Sequence, residues 1–175
     1  MIQPYLDSIA AHIQEYNPYF DKYFTNVEQS DTTGIVHNSF EPVFPNDIYG
    51  NFFYLRLPSK MGVVYNNSMN NADRSVGISI PLHIVASVKN ADPYKLAGNI
   101  ISTVGRMCDI TKKFTSILVH NEDVIMQELG KCDEHVIESA LQRQPNDALI
   151  SVNCTIEILF PFTQLNCIQN PCLSC

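Results

Sequence analysis

The sequence predicts an α+β domain, a two-layer arrangement in which helices cover a mainly antiparallel sheet of long strands. Three observations carry that prediction. From Val76 to Val88 apolar residues hold every second position, through Ile78, Ile80, Leu82, Ile84 and Ala86. Their partners are mostly polar or small, Ser79, His83 and Ser87 among them, with Val85 the exception. A period of two gives a strand with one buried and one wet face. After Asp92-Pro93 the spacing changes to Leu96, Ile100, Val104 and Cys108, with Ala97 and Ile101 alongside. That is an amphipathic helix, capped by Asp92 and opened by Pro93. From Leu149 to Phe160 the alternation returns, with Ile150, Val152, Cys154, Ile156 and Ile158 on one face and Ser151, Asn153, Thr155 and Glu157 on the other. Two long strands with one polar face each, and helices over the other, make such a domain. Its predicted core is Ile78, Ile80, Leu82, Ile84, Leu96, Ile100, Val104, Val152, Ile156 and Ile158.

The remaining elements follow in order. Pro4 opens a short helix with Leu6, Ile9, Ile13 and Tyr16 on one face, and Asn17-Pro18 stops it. Residues 19–50 show no sustained period and mix seven aromatic rings with turn residues such as Gly34, Pro42 and Pro45. They are expected to form an irregular but packed aromatic arm. Residues 51–57 (NFFYLRL) predict a strand, and 59–75 a long, asparagine-rich polar loop. Residues 114–120 (FTSILVH) predict a strand. Asn121 and Asp133 each suit the start of a short helix, the first carrying Val124, Ile125 and Leu129 inward, the second Val136, Ile137, Ala140 and Leu141. The whole is one domain over residues 1–162, followed by a polar cysteine-containing tail at 163–175.

A net charge of −7 argues against a nucleic-acid groove, which needs clustered positive charge. The charge is uneven: residues 89–113 hold five bases and two acids, residues 119–147 seven acids and two bases. Two ordinary solvated surfaces would look like this, and so would a dipolar subunit that stacks head to tail. No stretch approaches the roughly 20 apolar residues that span a bilayer. The opening MIQPYLDSIAAH lacks the pattern of a signal peptide, so the chain is expected to fold in a cytosol.

Signatures of chemistry are sparse. There is no phosphate-cradling glycine loop, no G-x-S-x-G elbow and no H-E-x-x-H. Cys167, Cys172 and Cys175 form a C-x4-C-x2-C run, and Cys132 to His135 a C-x-x-H. Those spacings fall short of two zinc knuckles, and Cys108 and Cys154 suit ordinary buried positions. His83, His120 and His135 stand without a nucleophile or paired carboxylates nearby in sequence and read as surface histidines. No catalytic, cofactor-binding or metal-ligating residue is therefore expected. Gly98, Ser102 and Gly105 make a small-residue ridge on the helix from Pro93, suited to close packing on the domain's own sheet or to a neighbouring subunit.

The order of elements carries a resemblance over residues 1–162: an N-terminal helix, the strand–turn–helix from Gly77 to Cys108, then the late strand ISVNCTIEILFPF. It resembles the head–tail connector (neck ring) and tail-terminator proteins of tailed bacteriophages. The asparagine-rich loop and cysteine tail are similar to those of crAss-like phages of gut Bacteroides-type hosts. The resemblance implies a non-enzymatic virion protein in a homo-oligomeric ring at the portal–tail junction, made in the host bacterial cytoplasm. It implies twelvefold symmetry where the ring matches the portal, or sixfold in the tail-terminator branch. The partners implied are other copies of the chain and the portal or adjacent neck and tail proteins, with no specific nucleic acid and no membrane. The cysteine tail departs from the family's pattern. The residues themselves leave one further reading, a small cytosolic metal-binding or adaptor protein that uses the C-terminal cysteines.

Overall fold

The computed structural model of the protein describes residues 2–38, 41–46, 48–57, 60–66, 75–108, 110–142 and 147–161. Alternation of apolar residues along the two longest strands organises all of it. β6 (Ser75–Lys89) pairs antiparallel with β8 (Asp147–Pro161) over fifteen consecutive residue pairs, from Ser75↔Pro161 to Lys89↔Asp147. β4 (Phe52–Arg56) and β5 (Gly62–Asn66) share the opposite edge of β6, against residues 83–87 and 75–79 respectively. β7 (Thr111–Leu118) lies outside β8. β1 (Lys22–Ser30), β2 (Gly34–His37) and β3 (Glu41–Phe44) complete the order β3-β2-β1-β4-β6-β8-β7, with β5 off this path on β6. β1 runs parallel to β4, and every other pairing is antiparallel. The protein is thus an α+β domain with a mainly antiparallel sheet.

One face of the sheet carries the larger core. Ile80, Leu82 and Ile84 of β6 and Val152 and Ile156 of β8 are wholly buried there. Against them pack α1 (Gln3–Tyr16), through Leu6, Ile9 and Ile13, and α2 (Pro93–Gly105), through Leu96, Ile100 and Val104. Asp92 caps α2, its carboxylate accepting from the backbone N–H of Tyr94 (2.8 Å) and Lys95 (3.1 Å). All ten predicted core residues lie in this cluster, Ile78 at its half-buried margin.

The opposite face is not uniformly wet. α3 (Asn121–Leu129) and α4 (Glu134–Gln142) cover part of it and build a second core with Val85 of β6, Leu149 of β8 and Phe52 and Tyr54 of β4. Val85, the residue that broke the polar alternation, is the apolar anchor of that core. Beyond Pro81 and Asn153, towards Glu157, the same face carries half-buried Ser79, Pro81, Thr155 and Glu157.

Several local expectations change. Residues 19–50 are not an irregular arm, because three strands run through them. β1 shifts register between Phe24 and Val27, where Asn26 sits at φ 59°, and that bulge breaks the period of two. β2 and β3 are too short to display one. Their rings pack within the sheet: Phe20 meets Phe53 edge-on at 4.8 Å, and Phe44 lies 6.2 Å from Tyr54. Between them Gly34 (φ +96°) lies so close to β3 that a Cβ would stand 2.4 Å from the Phe44 carbonyl oxygen. The 59–75 connection contains β5; its stretch 67–74 lies outside the described residues, as does the 163–175 tail with Cys167, Cys172 and Cys175. Tyr16 is half exposed and lies against the His12 ring at 4.7 Å, while its neighbour Asn17 is buried. Cys108 follows the end of α2 and is exposed, whereas Cys154 is buried as expected.

The Gly98–Ser102–Gly105 ridge does not pack on the sheet. All three residues are exposed, and a Cβ on Gly98 or Gly105 would meet nothing within 4 Å. Gly98→Ala is therefore expected to stabilise the isolated domain by about 0.5–1 kcal/mol through helix propensity alone. A lower urea midpoint for that variant would show that the ridge is covered within the subunit.

Candidate functional site

The register of four strands places one polar row across the face beneath α3. Arg56 of β4 stands opposite His83 of β6, His83 opposite Asn153 of β8, and Asn153 opposite Ser116 of β7. Onto this row α3 lowers Gln127 and Glu128. Helical spacing puts Glu128 one turn from Val124 on the inward stripe, so its carboxylate is driven into the interior and is fully buried.

A buried charge has to be paired. The Arg56 guanidinium grips both oxygens of Glu128, Nε to Oε2 at 2.6 Å and Nη2 to Oε1 at 2.8 Å. Tyr54 adds its hydroxyl to Oε2 at 3.3 Å, and Gln127 donates Nε2 to Oε1 at 2.9 Å. Arg56 Nη2 also lies 3.0 Å from His83 Nδ1. A guanidinium only donates, so this ring nitrogen accepts from Arg56 in the tautomer that leaves it without a proton. The same Nδ1 lies 3.3 Å from Glu128 Oε1 and donates to that carboxylate when it carries the proton.

The network continues through Gln127. Its Nε2 donates to Ser151 Oγ at 2.7 Å, and its Oε1 accepts from Asn153 Nδ2 at 2.9 Å, which also donates to Ser116 Oγ at 2.9 Å. Burial alone would raise the Glu128 pKa. The contacts from His83, Arg56 and Gln127 and the Arg56 charge outweigh it and hold the carboxyl at about 2. Burial, followed by the Glu128 charge, pushes the Tyr54 phenol well above its usual range.

These values define what the cluster can do. A carboxylate with a pKa near 2 and both oxygens already occupied is a poor proton acceptor near neutrality. Tyr54 is locked in its neutral form. The cluster is a clamp that fixes α3 to β4, β6 and β8. Arg56 also reaches a polar cleft of about 590 Å³, shared with Glu28, Gln29, Asp31 and Lys131. Its charges are of mixed sign, and among the described residues no serine, threonine or cysteine lines it.

The other sequence candidates are scattered. His83 belongs to the clamp, so it is not an ordinary surface histidine. His120 occupies the N-cap position of α3 and is exposed. Cys132 is buried, its thiol raised in pKa chiefly by burial and donating to the Ser30 carbonyl at 3.2 Å, while His135 is exposed on α4. The C-x-x-H pair therefore does not converge on one point. Arg56 and Glu128 were missed in the sequence, although each was a charge set on an apolar face, and that pattern is the signal for a buried pair.

Two surfaces remain on the outside. Between α1 and α2, hollows of about 340 and 220 Å³ meet at Tyr19 and Asn99 to form one groove, flanked by Lys95 and Arg106. On the opposite side of the sheet, α3 and α4 expose Glu122, Asp123, Glu134 and Glu138. Lys95 and Arg106 thus stand on the side of α1 and α2, where α1 also exposes Asp7 and Glu15, and the four acids stand on the other side. No known protein-family profile matches this chain, and no curated protein sequence matches it.

Proposed function

We propose that the chain is a non-enzymatic virion protein of a tailed bacteriophage, one subunit of a homo-oligomeric ring at the portal–tail junction. The observation that carries this reading is an uneven distribution of charge: Lys95 and Arg106 stand along α2, whereas α3 and α4 expose four acids on the other side of the sheet, an arrangement suited to head-to-tail contact between identical subunits. The element order adds to it, since α1, the β6–α2 unit and the late β8 are the elements on which the sequence resemblance rests. The saturated Arg56–Glu128 clamp fits a rigid building block better than a reacting centre. A ring of twelve copies follows if the subunit seats on the portal, and six if it caps the tail.

The test is made on particles. Mass spectrometry of purified virions should recover the chain in a few to a dozen copies, and imaging should place its density at the neck. Virions that contain no trace of the chain would overturn the proposal.

A further inference from the structure

We infer that the groove between α1 and α2 is the seat for the acidic α3–α4 surface of a second copy of this chain. The inference deepens the proposed ring by naming its two contact surfaces, and for closure into a ring it rests on that reading.

The groove is built for a polar, negatively charged occupant with some apolar surface. Lys95 and Arg106 stand along it about three helical turns apart. Among the described residues Asp92 is the only acid lining it, and that carboxylate accepts from two backbone N–H groups of α2. One large ring that lines it stands unburied, Tyr16 at 52% exposure. Gly98, Ser102 and Gly105 keep the outer surface of α2 low, so a second helix can approach its backbone.

The acidic side has the complementary features. Glu134 and Glu138 lie one turn apart on α4, with Leu141 following at 43% exposure. Met126 on α3, one turn after Glu122, is exposed at 50%. Neither surface can satisfy the other within one molecule, since the sheet lies between them. The contact is therefore heterologous, and each copy offers one groove and one acidic ridge.

The experiment uses the full chain in sedimentation velocity over a concentration series at low salt, where exposed charge pairs are least screened. Wild type is expected to self-associate. The double reversal Lys95→Glu/Arg106→Glu should weaken association about tenfold or more, through lost pairs and new like-charge repulsion. Glu134→Lys/Glu138→Lys should do the same, and mixing the two variants should restore hetero-association. Ser102→Trp, at an exposed position, should block docking without lowering the melting temperature. Wild type that stays monomeric throughout, or reversed variants that associate as well as wild type, would overturn this pairing. Detection of the chain at the neck of particles judges the ring reading separately, because a ring closed through other surfaces would survive these variants.

Discussion

Arg56→Ala is expected to destabilise the domain by about 3–5 kcal/mol, because it strands the Glu128 carboxylate in the interior without its cation. The reverse truncation, Glu128→Leu, should cost less. The Arg56 side chain keeps 11% of its surface in contact with solvent and can turn its charge towards the polar cleft, whereas Glu128 has none. The double variant Arg56→Met/Glu128→Leu should recover much of the loss, since removing both partners leaves no buried charge. Urea unfolding of the three variants gives the coupling, and a cost below about 1 kcal/mol for Arg56→Ala would remove the clamp from the account.

The same pair sets a pH dependence. The Glu128 carboxyl is depressed to about 2 in the folded state from an ordinary value of 4.5. A depressed folded pKa gives stability that is fully present above the unfolded value and lost as pH falls through the folded one. The decline should therefore run from about pH 5 down to about pH 2, and it should be shallower in Glu128→Leu.

Ile156→Ala is the second large effect, expected at about 2–5 kcal/mol. Ile156 has no exposed surface, faces α1 and α2, and stands between Ile80 on β6 and Lys112 on β7 in the sheet register. Removing three carbons there leaves a void lined by two strands locked on both sides, which cannot close over it. A loss well under 1 kcal/mol would mean that β8 presents its other face to the larger core.

The sequence made the larger core legible because β6, α2 and β8 each keep one period for their whole length. Ile156 and Leu96 could be assigned from spacing alone. The second core was not legible, since it is assembled from short pieces: Val85 is one apolar residue on a polar face, β1 carries a bulge, and β2 and β3 each have four residues. The clamp was hidden for a different reason. Glu128 was one acid in an acidic stretch and Arg56 one base at the end of a strand, and only the fold brings positions 72 residues apart to 2.6 Å. Gly98 was ambiguous in the sequence, because a small residue on a helix serves tight packing inside a subunit or between subunits equally well.

The fifteen-pair ladder between β6 and β8 also has a consequence for biosynthesis. β6 leaves the ribosome with its apolar face formed in sequence but without the partner that covers its long edge, which is encoded at 147–161. At roughly 5–20 residues per second, the intervening helices and β7 take several seconds to appear. During that interval β6 is an open template for other nascent chains, with only β4 and β5 to occupy its opposite edge. Expression conditions that slow late translation should therefore favour aggregates, and premature termination before Asp147 should yield no soluble product.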